Sequence, residues 1–76
     1  MDLRQLDTLR AVAEAGSFTK AATRLHVSQS AVSRQIQLLE KEFDEQLFLR
    51  TGRSIRITPA GSTLLALSRR VFEDIN

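Results

Sequence analysis

The apolar positions of this chain change rhythm along its length, and the changes mark out its elements. Leu6, Leu9 and Ala13 recur at helical spacing behind Asp2, whose carboxylate can hold the free amides of a first turn. Gln5, three residues on, completes a box-like capping pair, and Gly16 supplies a left-handed stop. The pattern therefore predicts a first helix starting at Asp2. Ser17 then caps a second, short helix from Phe18 to about Leu25, with Ala21, Ala22 and Leu25 on its buried side. Two small side chains in a row let another helix approach closely, as a tight corner requires. His26 and Val27 make the turn, and Ser28 caps a third helix. On it, Val32, Ile36, Leu39 and Phe43 follow the i, i+4, i+7, i+11 rhythm of a core stripe. At about 100° per residue these four fall within an arc of about 60°. Gln29, Ser30, Ser33, Arg34 and Gln37 occupy a separate arc centred about 120° away.

After the acidic cluster EKEFDE the rhythm shortens. LFLRTGRSIRIT has β-branched and aromatic residues on either side of a Thr-Gly-Arg-Ser turn, which predicts a short hairpin, apolar inward and basic outward. Thr58-Pro59 opens a fourth helix, Thr as cap and Pro at the first helical position, and apolar residues continue to the end of the chain. Helix, helix, turn, helix, hairpin, helix is the plan of a winged helix-turn-helix: mainly α, a three-helix core, a two-stranded β-hairpin wing and a C-terminal helix. The division predicted is 1–58 for the winged domain and 59–76 for the last helix.

Composition narrows the chemistry. A chain of 76 residues without cysteine has neither disulfides nor a thiolate metal site or nucleophile, and a core this small leaves stability in need of self-association. No apolar run approaches the ~18 residues of a membrane span, and MDLRQLDTLR is too interrupted by charge for a signal peptide. A soluble, cytoplasmic protein with no membrane association is expected. The net charge of +2 is weak, but its distribution is not: residues 15–39 carry +3 and 46–72 carry +5 with no acid in either block, while 40–45 carry −3. Such segregation gives a face that attracts polyanions.

The side chains at the N-terminal end of a recognition helix are the ones that reach base edges. Here they are Ser28, Gln29, Ser30, Ala31, Ser33 and Arg34. Gln29 presents a donor and an acceptor side by side, suited to adenine, and the Arg34 fork suits guanine or a phosphate. The serines can bond to base or backbone, and the Ala31 methyl can pack on thymine. Ser17, Thr19 and Lys20 open the supporting helix, where free amides favour a phosphate. In the hairpin, Arg53 near the tip suits a minor groove, and Arg50 a phosphate. The bland alternatives are capping for the serines and a solvated charge on an edge strand for the arginines. His26 has no second His or Cys beside it, and the carboxylates of Glu40, Glu42, Asp44 and Glu45 lack the loop spacing of a metal site and read as a solvated helix end. No cofactor and no enzymatic activity is expected. A protein-binding winged domain would want an apolar wing, and an RNA-binding one exposed aromatics; all four Phe sit at core-like positions.

These residues resemble a known family. AATRLHVSQSAVSRQIQLLEKEF followed by LFLRTGRSIRITPAG is similar to the N-terminal DNA-binding domain of the LysR-type transcriptional regulators, and the likeness runs through nearly the whole chain. The resemblance implies a bacterial regulator of transcription, with Gln29 to Arg34 in a major groove and Arg53 in the adjacent minor groove of double-stranded DNA. It implies that the last helix is a linker helix that pairs with its twin, giving a homodimer on an interrupted palindrome. Leu64, Leu65, Leu67, Val71, Phe72 and Ile75 are the dimerisation residues this suggests, since they exceed what one face of so small a domain can hide. The family usually has glycine where this chain has Asp44. Its members have a larger C-terminal domain that senses a small-molecule effector, so the chain reads as a DNA-binding fragment of such a protein.

Overall fold

Each helix begins where a side-chain oxygen replaces a missing amide partner. The Asp2 carboxylate accepts the Gln5 N–H at 2.8 Å while the Gln5 side chain accepts the Asp2 N–H at 3.2 Å, which opens α1 (Leu3–Ala15). Ser17 accepts the Lys20 N–H at 3.2 Å to open α2 (Phe18–Leu25). Ser28 accepts the Ala31 N–H at 3.0 Å to open α3 (Gln29–Phe43). After the antiparallel strands β1 (Phe48–Thr51) and β2 (Ser54–Ile57), Thr58 accepts the Gly61 N–H at 3.0 Å to open α4 (Pro59–Ile75). Caps of this kind stabilise a helix by about 1 kcal/mol each. The structure is a computed structural model that describes residues 1–52 and 54–75, Ile75 by its backbone alone.

Left-handed residues end the first three helices: Gly16 at φ 66°, His26 at φ 58° and Asp44 at φ 52°. The first stop was expected of glycine; the other two fall on residues that carry a Cβ. From these turns α1 packs against α2, α3 and α4. The core between them holds Leu6, Leu9 and Val12 of α1, Phe18, Ala21 and Ala22 of α2, Val32, Ile36 and Leu39 of α3, then Leu47, Phe48 and Leu64.

Three expectations about burial are corrected. On α1 the third core position is Val12, fully buried, with Ala13 half-buried beside it. On α3 the stripe stops one turn early: Phe43 is 42% exposed. As the last residue of its helix it borders an open groove towards α4, shared with Met1, Leu47, Leu64 and Leu67. The hairpin also departs from apolar inside and basic outside. Its register pairs Phe48 with Ile57, Leu49 with Arg56, and Arg50 with Ile55. Directly opposed residues share a face, so Arg50 stands on the inner face with buried Phe48, and exposed Leu49 lies on the outer one beside Arg56.

The fourth helix docks on the base of the wing at close range. A Cβ on Gly61 would lie 2.3 Å from the Leu47 carbonyl oxygen and 2.7 Å from Cγ1 of Ile57, so only glycine fits. The Thr58 N–H bonds to that same Leu47 carbonyl at 3.0 Å, and the Thr58 hydroxyl to the Gln46 carbonyl at 2.5 Å. Leu64, buried Ser68 and Phe72 follow at four-residue spacing along α4. They form one side of the helix, and the Arg10 guanidinium of α1 sits 4.6 Å from the centre of the Phe72 ring. Among the described residues, no helix is long and apolar enough to cross a membrane.

Candidate nucleic-acid interface

Because the core stripe of α3 faces inward, its first two turns present their other side to solvent. Ser28, Gln29, Ser30 and Arg34 are exposed and Ser33 is half-buried. The Gln29 carboxamide oxygen takes the Thr19 hydroxyl at 3.4 Å, which ties the start of α3 to the start of α2 and leaves the Gln29 NH2 outward. The hydroxyls of Ser28 and Ser30 lie 3.2 Å apart. Ser28 and Ser17 both serve as caps, each accepting a backbone amide, and their hydroxyl protons can still be offered to an acceptor such as phosphate. Arg34 has no ion-pair or hydrogen-bond partner among the described residues.

Ala31 stands apart from this group. It is half-buried and lines a cavity of about 360 Å³ between α1 and α3, with Arg4, Asp7 and Val32. Helical geometry explains the separation, since Ala31 is about 200° from Gln29 around the axis. Thr19 and Lys20 are exposed on the first turn of α2, and Ser17 is half-buried ahead of them. The expected contribution of Arg53 lies outside the described residues.

Arg50, expected at the end of the first strand as a phosphate contact, is held in place by other elements of the fold. Its guanidinium carbon lies 4.3 Å from the centre of the Phe18 ring, and its Nη2 is 3.5 Å from the Ser33 hydroxyl. Phe18 meets Phe48 edge to face, with centroids 6.0 Å apart and planes at 74°. One cation thus bridges the supporting helix, the recognition helix and the wing, while its side chain stays solvent-accessible. The signal was present in the sequence: Phe48-x-Arg50 places both side chains on one face of a strand. Beside it, Ser17, Thr19, Gln29, Arg50 and Gly52 surround a small depression between the starts of α2 and α3 and the hairpin tip. Every described polar group that converges there is a donor or a neutral amide, and no carboxylate joins them.

The carboxylates gather elsewhere, at the far end of α3. Glu40 is not merely solvated there, as expected: its carboxylate accepts the Leu47 N–H at 2.8 Å. Glu42 pairs with the Met1 ammonium.

On the groups' placement alone, a supporting helix, a polar-faced recognition helix and a basic two-stranded wing define the winged helix-turn-helix class of DNA-binding domain. Comparison with known proteins sharpens the class. The family model described as "Bacterial regulatory helix-turn-helix protein, lysR family" matches residues 3–62, and the chain belongs to that family. A transcriptional regulator from the ibpB-leuC intergenic region of Azotobacter vinelandii is 48% identical over 72 residues, covering 95% of this chain and 50% of that protein. The regulator ClcR of Pseudomonas putida is likewise 48% identical over 72 residues, covering 95% of this chain and 24% of ClcR. The chain thus spans half or less of these relatives' lengths. Among solved structures, the CbnR DNA-binding domain in complex with DNA superposes with a TM-score of 0.91 at 46% identity, covering 96% of this chain and 84% of that one. The BenM DNA-binding domain with its catB site 1 DNA gives 0.93 at 40% identity, covering 99% and 84%. The fold is therefore that of the LysR-type DNA-binding domain, and its relatives are regulators of transcription.

Proposed function

We propose that the domain binds double-stranded DNA sequence-specifically as the reading head of a bacterial regulator of transcription, and that it does so as a homodimer without catalytic activity of its own. The observation that carries this reading is the outward arc of Gln29, Ser30 and Arg34 beside acid-free basic segments. In the proposed complex the start of α3 enters a major groove. The free amide of Gln29 pairs with an adenine edge, and Arg34 grips guanine or the adjoining phosphate. The short serines let the helix axis come close to the base pairs, where longer side chains would hold it off. Thr19 and Lys20 at the start of α2 meet the phosphate backbone, helped by the helix dipole. Arg50 meets a neighbouring phosphate from its seat on Phe18, and Arg53, which lies between the two strands in sequence, is proposed for the flanking minor groove.

Residues 59–76 supply the pairing surface. Leu64 belongs to its own protomer's core, and Phe72 packs against it. Exposed Leu67, together with half-buried Leu65 and Val71, is left to meet a second copy. Two such domains related by a twofold axis read the two halves of an interrupted palindrome. The cytoplasm is where such a regulator acts, and a small-molecule effector would bind a further domain.

The decisive experiment is selection of bound duplexes from a random pool across a salt series, followed by footprinting. The expected product is a two-fold symmetric motif whose half-sites lie whole helical turns apart, with affinity falling steeply as salt rises. A pool that converges on no motif, or retention indifferent to salt, would overturn the reading.

A further inference from the structure

Glu40 ties the recognition helix to the root of the wing, and we propose that it is a positioning residue that sets the wing's angle to that helix; its importance for DNA rests on the function proposed above. Its Oε2 accepts the Leu47 N–H at 2.8 Å. Its own carbonyl accepts the Asp44 N–H that closes α3, and the Glu45 N–H at 3.1 Å. Both ends of the Asp44–Leu47 connection are thus fastened to one residue. Leu47 leads directly into β1, and its carbonyl accepts the Thr58 N–H where β2 ends, at 3.0 Å. A single carboxylate therefore anchors the common base of both strands.

Electrostatics disfavours an acid at this place. Glu40 lies in the last turns of α3, where the helix dipole repels negative charge. Around the axis it stands only about 20° from Ser33, and with Ser33, Gln37 and Arg50 it lines the groove between α3 and the hairpin. It is the first acid after a run of 25 residues, 15–39, that contains none. A carboxylate facing both a dipole's negative end and an expected polyanion loses on each count. What it gains is the bond to Leu47, made to a backbone amide that neither strand satisfies.

Three substitutions separate that bond from the charge. Glu40→Gln keeps an acceptor and removes the charge; Glu40→Asp keeps the charge and shortens the reach; Glu40→Ala removes both. Two quantities are measured on each folded variant. One is the set of residual dipolar couplings of the hairpin amides relative to those of α3, on free protein. The other is affinity, at fixed salt, for the duplex recovered by selection. The Gln variant is expected to keep the parent's hairpin couplings and to bind duplex at least as tightly. The Asp and Ala variants are expected to lose the parent's hairpin couplings while those of α1 to α3 persist, and to bind roughly tenfold more weakly.

A side chain that merely stabilised the fold would lower the melting temperature of the Asp and Ala variants and leave the hairpin in its parental orientation; that result overturns the proposal. So does a Gln variant that behaves like Ala, or an Ala variant that binds more tightly than the parent. The couplings are read without DNA, so a parent protein that fails to bind duplex defeats the functional reading and leaves the wing's anchoring to be decided by the first measurement.

Discussion

At the scale of single residues, position on a helix decides what a side chain is for. Gln29 and Ala31 are two apart in sequence and both suit a base pair chemically. Only Gln29 stands outward, because Ala31 turns towards α1. Replacing Gln29 by Ala is expected to cost about 1–3 kcal/mol of discrimination at one base pair and nothing at the others. Titration of a panel of single-base variants measures this, and an unchanged preference would remove Gln29 from the readers. Asp44 is a different kind of residue-scale effect. It holds φ 52° at the end of α3, in a conformation that disfavours a side chain. Asp44→Gly is therefore expected to raise stability by about 0.5–1 kcal/mol, with duplex affinity unchanged, as read by denaturant unfolding. The left-handed stop at Asp44 was legible only from the family pattern, which has glycine there. The identical geometry at His26 was not, since nothing in its side chain asks for it.

At the scale of elements, the periodic signals were legible and the joints between elements were not. Amphipathic spacing and cap residues located α1 to α4 because both act within a turn or two of the chain. Phe43 escaped the same logic: periodicity says which side of α3 it is on, but whether anything covers that side depends on how far α4 reaches. Arg50 escaped it too, because its partners Phe18 and Ser33 lie on two other elements. Gly61 is the sharpest case. In sequence it follows Thr-Pro-Ala inside a helix, where glycine normally weakens the structure. In the fold it is where α4 touches the wing's base, with no room for a methyl group. Gly61→Ala is expected to destabilise by about 1–3 kcal/mol despite its better helix propensity. Thermal unfolding checks it, with an expected fall of several degrees; an unchanged or raised melting temperature would mean that the junction relaxes freely.

At the scale of the whole molecule, charge and symmetry take over. A net charge of only +2 conceals two acid-free basic segments and an acidic patch between them, so the domain's field is directional. Lys20→Ala and Arg53→Ala are each expected to weaken binding across sequences alike and to lower the salt slope by about one unit. Binding isotherms over a salt series decide between that and a sequence-dependent loss. Leu67 tests the symmetry. It is 44% exposed, so Leu67→Glu is expected to leave the monomer folded while abolishing concentration-dependent association in sedimentation equilibrium. Persistence of the dimer would place the contact elsewhere. The side of α4 given by Leu64, Ser68 and Phe72 has a further consequence. Those residues lock the helix's rotation about its own axis against α1, so the direction in which Leu67 points is a fixed property of each protomer. Two copies meeting there have no freedom to swivel. The interval between the two halves of the proposed target is then set by the protein itself, since even a residue inserted after Gly61 would carry lock and seam round together and leave the bearing of Leu67 on α1 unchanged.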